Sequence, residues 1–269
     1  MSYYKFIDLF AGIGGIRLGF EQAFKNSETV FVSEWDEYAQ KTYKANFESP
    51  KEIAGDITKI NEKEIPTFDI CLAGFPCQAF SMAGQRKGFD DNYKGACRGT
   101  LFLDVARICE EHKPKVIFCE NVKGLTIHDK GRTFKIIKST FENLGYNVFS
   151  QILNSRDFGV PQNRERIYIV CFRKALEIEE FNFPKSTDST KKIRDILEEN
   201  PVSAKYYLST TYIETLKRHK ARHEAFPDSY KLVLADTHLY KQFGNSVSVP
   251  VIAAIAGEIK KKLAKSEEK

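Results

Sequence analysis

One tryptophan, two methionines and five histidines stand among the 269 residues of the chain. Its six cysteines, Cys71, Cys77, Cys97, Cys109, Cys119 and Cys171, are never spaced as CxxC or CxxxC. With histidine this scarce, neither a zinc ligand set nor a disulfide framework is expected, and a reducing compartment follows. No apolar stretch reaches the roughly 18 uninterrupted residues of a membrane helix. Residues 1–10 lack the charged-then-apolar order of a secretory leader. The expected location is therefore cytoplasmic, with no membrane partner and no metal. Repeats and low-complexity segments are absent as well, which removes solenoids and disordered scaffolds. Charge of neither sign dominates, since 41 Lys and Arg against 36 Asp and Glu leave a net charge of +5. That permits a polyanionic partner without demanding one.

What is present is an alternation of short apolar runs with amphipathic stretches, the pattern of an α/β fold. Strands are expected at Tyr3–Phe10, Thr29–Glu34, Phe68–Ala73, Val116–Glu120, Asn147–Leu153 and Arg166–Phe172. A further strand should end before Asp56. Helices are expected at Gly15–Phe24, Glu37–Ala45, Leu101–Glu111 and Arg132–Leu144, the last closed by Gly145. A doubly wound sheet follows, with ligands beyond the carboxyl ends of its strands. From Arg173 to Tyr240 the chain turns polar, with Pro184, Pro201 and the cluster Lys217, Arg218, Lys220 and Arg222, and a small second region is placed there. Val247–Leu263 returns to a helical pattern, and Lys260–Lys269 reads as a charged, frayed helix end. The division is residues 1–174, 175–240 and 241–269.

Four constellations carry chemistry. Asp8-Leu-Phe-Ala-Gly-Ile-Gly-Gly15 is a strand entering a glycine-rich turn and then a helix, where backbone N–H groups lie open to a ligand. The dinucleotide pattern GxGxxG fails because its third position is Arg17, which disfavours a nicotinamide. Glu34 ends the next strand where an acid would bind ribose hydroxyls, Trp35 follows as a platform for a purine, and Asp56 comes next in order. Together these read as an adenosine site. Gly74-Phe-Pro-Cys77-Gln-Ala-Phe-Ser81 follows an apolar strand, so Cys77 falls at the ligand edge, where a nucleophilic thiolate can be exposed. The Gly-rich, basic stretch from Gly84 to Arg98 has the composition of a closing flap. Glu120-Asn-Val122 puts a carboxyl group at a strand end after an apolar run that would raise its pKa. Arg164 and Arg166 alternate with Glu165, so both guanidiniums face one side and suit phosphate or a base carbonyl. Each taken alone has an ordinary structural explanation; their order in one chain does not.

In that order, Asp8-Leu-Phe-Ala-Gly-Ile-Gly-Gly, Gly74-Phe-Pro-Cys-Gln-Ala-Phe-Ser, Glu120-Asn-Val, Gln162-Asn-Arg-Glu-Arg and Gln242-Phe-Gly-Asn-Ser-Val resemble five signature motifs of the cytosine-5 DNA methyltransferases, particularly those of bacterial restriction-modification systems. The resemblance implies a Rossmann-like S-adenosylmethionine-dependent fold, a mostly parallel twisted sheet with one antiparallel strand. It implies that Phe10, Gly12, Gly14, Glu34, Trp35, Asp56 and Ile57 hold the adenosine of S-adenosylmethionine, with Pro76, Leu101, Asn245 and Ser246 completing the pocket. By the same resemblance Cys77 is the nucleophile, Glu120 the acid, and Arg164 and Arg166 the anchors of a flipped nucleotide. Gln78, Ser81 and Arg98 are the expected DNA contacts, and double-stranded DNA is the expected partner.

One departure stands out. In these enzymes a long target-recognition region separates the arginine motif from the last motif, and here only residues 173–227 fill that interval. Base readout needs surface in the major groove. The catalytic core is expected to fold and bind its cofactor, while a second chain is one candidate source of the missing surface. Two alternatives stay open: a relative that binds cofactor and DNA without turnover, and a tRNA cytosine-5 methyltransferase, disfavoured because the Cys-Phe-Thr signature of that branch is missing.

Overall fold

Alternate residues of β1 (Tyr4–Leu9) serve opposite faces of a sheet, Tyr4 and Phe6 on one and Ile7 and Leu9 on the other. Such two-sided burial belongs to an interior parallel strand. In the computed structural model, β1 lies between β2 (Ser27–Ser33) and β3 (Ile70–Ala73), parallel to both. The structure describes residues 2–50, 52–76, 101–187, 229–234 and 236–267, together with positions 92, 93, 96, 97, 190, 192 and 226. Cys77, Gln78, Ser81 and Arg98 lie outside the described residues, as does most of the interval expected to recognise DNA.

β4 (Asn92–Tyr93) pairs antiparallel with β5 (Ala96–Cys97) in a second sheet of two strands. The main sheet continues through β6 (Val116–Val122), β7 (Tyr146–Asn154) and β8 (Glu165–Arg173), in the order β2-β1-β3-β6-β8-β7. β8 is inserted between β6 and β7 and runs against both. β8 is the single antiparallel strand of this sheet, as the resemblance implies.

Helices cover both faces. α3 (Leu101–His112) and α4 (Arg132–Asn143) bury Phe102, Val105, Ile108, Ile137 and Phe141 against Ile7, Leu9, Ile117 and Ile169. Cys71, Cys109, Cys119 and Cys171 are fully buried on this face, and burial pushes their thiols upward, as befits small core hydrophobes. The other face takes α1 (Gly15–Ala23) and α6 (Val249–Glu267) over Phe6, Leu72, Phe118 and Val170. Among the described residues, α2 (Glu37–Asn46) and α5 (Asp236–Asn245) complete the α-helices. Ile178 and Phe181, beyond the last strand, are buried on the sheet, and the Phe181 ring meets Phe149 and Phe172. Among the described residues no helix is long and apolar enough to cross a membrane.

Three expectations need correction. The strand before Asp56 is a single bridge between Ala54 and Ser33, because only that residue keeps its backbone bonds to β2 before the chain turns at Gly55. The last helix is preceded by a separate one, α5, which begins within the polar stretch placed as a small second region and continues past Tyr240. As far as Glu267, the last described residue, the helix end is not frayed: Glu267 receives bonds from Ser2, Tyr4 and Lys115, Ser266 bonds to the Leu176 carbonyl, and Leu263 is buried.

α1 and α6 approach closely at Gly19. A Cβ there would lie 2.5 Å from Ile252 Cγ2 and 3.0 Å from the Ala253 backbone nitrogen. Overpacking costs about 1–3 kcal/mol, against a helix-propensity gain of about 1 kcal/mol for alanine over glycine. Gly19→Ala is therefore expected to lower the urea midpoint with an unchanged m-value. A raised midpoint would contradict the contact.

Candidate active site

The turn after β1 is held in left-handed backbone at Phe10 (φ 56°), Gly12 (φ 55°) and Gly14 (φ 82°). Each glycine answers a different demand. A Cβ at Gly14 would strike the Phe47 ring at 2.3 Å, and one at Gly15 would meet Ser246 Oγ at 2.8 Å and Val247 Cγ2 at 2.9 Å. At Gly12 it would meet nothing within 4 Å, so this glycine borders open space at the sheet edge.

The Glu34 carboxylate staples the turn to the next helix. One oxygen accepts from Gly12 N at 2.6 Å, the other from Asp36 N at 2.7 Å. Burial raises its pKa, and these N–H bonds oppose the rise. Each carboxylate oxygen can accept again, so ribose hydroxyls remain within its capacity. The Ala54 bridge brings Asp56 alongside, where its carboxylate accepts from Thr58 N at 3.1 Å. Ile57 is buried, and its carbonyl accepts from Arg107 of α3 at 2.6 Å. Trp35 is 51% exposed. Pro76 and Leu101 are half-buried. Trp35 and Asp56 also border a cleft of about 590 Å³ walled by Gln40, Lys41 and Lys44 of α2. The glycine turn is not among its described walls. An open glycine edge, a buried acid and an exposed indole in sequence order fit the adenosine half of S-adenosylmethionine.

Glu120 sits at the carboxyl end of β6, buried, with Arg166 Nε 3.2 Å from one carboxylate oxygen. The antiparallel register explains the meeting, because Val122 of β6 faces Arg166 at the start of β8. Burial raises the Glu120 pKa; Arg166 and then Arg164 hold it back. The ion pair is not aligned as a hydrogen bond, which leaves that oxygen without a hydrogen-bond donor among the described residues. Arg164 takes a different path from its neighbour. Its guanidinium donates to the carbonyls of Gly244, at 3.4 Å, and Ser246, in the turn between α5 and α6. Ser246 is half-buried in that turn, and Asn245 is exposed.

Sequence reasoning missed Asn121. Its side chain, 1% exposed, donates to the Phe75 carbonyl at 3.3 Å and accepts from Val122 N at 2.8 Å. It thereby ties the end of β6 to the exit from β3, one residue before Pro76. Its place in Glu120-Asn-Val122 was visible; its partner, 46 positions away, was not. Beneath the glycine turn lies a buried chain of polar contacts. Arg17 donates to Tyr43 Oη at 3.2 Å, which donates to Asp8 at 3.2 Å. Arg17 also pairs with Glu21 at 2.6 Å. The residue that breaks the dinucleotide pattern is thus the cation of a buried network.

The sequence profile of C-5 cytosine-specific DNA methylases matches residues 4–225 and 217–261. The chain is 43% identical to Type II methyltransferase M.HpaII of Haemophilus parainfluenzae, over 97% of this chain and 90% of that one. It is 38% identical to Type II methyltransferase M.HhaI of Haemophilus parahaemolyticus, over 95% and 94%. The latter alignment spans 315 residues, yet 95% of 269 is about 256, so about 59 aligned positions are empty here. The two stretches matched by the profile meet at 217–225, inside the interval read as shortened. The fold is similar to a solved Entamoeba histolytica methyltransferase, EhMeth (TM-score 0.76, 21% identity, 100% of each chain), and to the S. pombe Dnmt2 methyltransferase (TM-score 0.72, 16% identity, 97% of this chain and 99% of that one).

The buried Asp8 yields a pH prediction. Burial raises its pKa from 3.8 to about 7, with Arg17 and Tyr43 opposing the rise. Between those values the folded chain binds more protons than the unfolded one. Its contribution is therefore fully present below about pH 4 and lost as pH rises through about 7. Stability measured by urea unfolding should fall from pH 5 to pH 8, and Asp8→Asn should flatten that fall. Equal slopes in both proteins would contradict the assignment.

Proposed function

Because the chain belongs to the family of C-5 cytosine-specific DNA methylases, we propose that it methylates C5 of cytosine in double-stranded DNA, with S-adenosylmethionine as methyl donor. The observation that carries this reading is a buried Glu120 carboxyl group beside Arg166, tied through Asn121 to the segment that enters Cys77. S-adenosylmethionine supplies the electrophilic methyl group. The chain's own residues make the acceptor. Cytosine C5 is a poor nucleophile, and adding the Cys77 thiolate at C6 turns the ring into an enamine that is nucleophilic at C5. Glu120, kept protonated to higher pH by burial, donates toward N3 and stabilises the developing charge. Loss of the C5 proton after methyl transfer expels Cys77.

The thiolate cannot reach C6 in stacked DNA, so the base must leave the helix, at a cost of a few kcal/mol. Arg164 and Arg166 are assigned to anchor it. Gln78, Ser81 and Arg98 are assigned to the closing flap and its DNA contacts. Phe10, Gly12, Gly14, Glu34, Trp35, Asp56, Ile57, Pro76, Leu101, Asn245 and Ser246 are assigned to the cofactor. The division into a catalytic part, residues 1–174, a recognition part, 175–240, and a returning part, 241–269, is part of the same proposal. Sequence readout then falls to the shortened interval or to a second chain that completes it.

The roughly 59 empty aligned positions favour one alternative, a relative that binds cofactor and DNA without turnover. Tritium transfer from labelled S-adenosylmethionine to mixed-sequence duplex DNA separates the two. Incorporation supports the enzyme; cofactor binding without incorporation supports the alternative. Cys77→Ser is expected to lower incorporation by at least about 10³-fold while cofactor affinity stays within about threefold. Turnover equal to wild type would remove Cys77 from its role.

A further inference from the structure

α5 touches both halves of the site. On the adenosine side it lies along α2, the helix that follows Glu34 and Trp35. Thr42 Oγ1 donates to Gln242 Oε1 at 2.9 Å, and both residues are buried, 0% and 8% exposed. Around this bond, Lys241 pairs with Asp36 at 3.2 Å and the His238 ring stacks on Tyr38 at 4.0 Å. Asn46 exchanges two bonds with the Lys231 backbone, just before α5. On the pyrimidine side the carbonyls of Gly244 and Ser246 hold Arg164, whose charge bears on Glu120. Between the two ends, Leu239 and Phe243 share an apolar cluster with Ile13 of the glycine turn, Ala39 of α2 and Val249 of α6.

The Thr42–Gln242 bond is an expensive way to glue two helices. Gln242 Nε2 has no hydrogen-bond partner among the described residues. Reversing the amide would satisfy the nitrogen and orphan the oxygen instead. Leucine would supply adhesion there without a half-paired buried amide, which costs about 1–3 kcal/mol. The bond is directional, and it fixes the register of α5 on α2 in a way that apolar contact does not.

We propose that α5 couples the cofactor site to the base site, with Thr42 and Gln242 as positioning residues that hold it in register. Ordering of Glu34 and Trp35 by the cofactor settles α2. The Thr42–Gln242 bond passes that constraint along α5 to the Gly244 and Ser246 carbonyls, and so to Arg164, two residues before the Arg166 that pairs with Glu120. By linkage, DNA then tightens the cofactor site as much as the cofactor tightens DNA. This rests on the site assignments of the preceding subsection.

The test measures the affinity of S-adenosylhomocysteine alone and with saturating mixed-sequence duplex DNA, and DNA affinity alone. In the wild type DNA should tighten S-adenosylhomocysteine by about 5-fold or more. Thr42→Val keeps the shape and deletes the hydroxyl. It should leave each separate affinity within about threefold of wild type and bring the tightening close to 1-fold, while Thr42→Ser restores it. Gln242→Met removes the other end of the bond and should act like Thr42→Val, which covers the case of one variant failing to fold. Lys241→Ala, losing an exposed ion pair, should retain the tightening. Unchanged tightening in both core variants, or a loss of separate affinity with the tightening kept, would overturn the proposal, as would a wild type without tightening. Failure of S-adenosylhomocysteine to bind the wild type at all would instead sink the cofactor assignment beneath it.

Discussion

The direction of β8 governs where the charged groups of this protein can meet. A strand inserted between β6 and β7 and running against both delivers its first residues to the edge where β6 ends. Arg166 therefore faces Val122 and reaches Glu120. A parallel strand in the same slot would put the arginines at the opposite edge, and Glu120 would be a buried acid without a nearby cation. Such an acid stays neutral; one held between burial and two guanidiniums can both keep a proton and part with it. The topology of one strand thus sets the chemistry available to one carboxyl group.

The other half of the arrangement is steric. Gly15 and Gly19 let α1 lie directly against the α5–α6 turn and against α6. That contact carries Ser246, from the last motif, to the turn built by the first. The Glu34 staple, the Ala54 bridge and the Asn121 tie then join loops that are far apart in the chain. The site is an edge where pieces from both ends of the chain are fastened to one another, and few of those fastenings are local.

That explains what was legible in the sequence. The runs at Ile70–Ala73 and Val116–Val122 are buried on both faces, so their hydrophobicity announced interior strands. Glycines beside an acid and an indole were readable as a group because each residue type answers a local demand, and the structure gathers an open glycine edge, a buried acid and an exposed indole. α5 was not legible: its polar contacts to α2, a buried bond, a ring stack and an ion pair, are made to residues about 200 positions away, and its sequence is polar enough to pass for a loop. Asn121 was hidden for the same reason. The pair Arg164 and Arg166 was readable as two guanidiniums on one strand end. Their division of labour, one holding main-chain carbonyls and one pairing with Glu120, depends on a turn 80 residues downstream.

The proposed methyl transfer requires a sulfur–carbon bond between Cys77 and C6 of an extruded cytosine. Duplex DNA carrying 5-fluorocytosine tests it directly, because after methyl transfer C5 bears fluorine in place of the proton whose removal would expel Cys77, and fluorine cannot depart as a cation, so the adduct does not resolve. With S-adenosylmethionine present, mass spectrometry of the digested complex should find the nucleotide on the peptide containing Cys77. An adduct on another residue, or methyl transfer to ordinary cytosine with no adduct trapped on the fluorinated duplex, would contradict it.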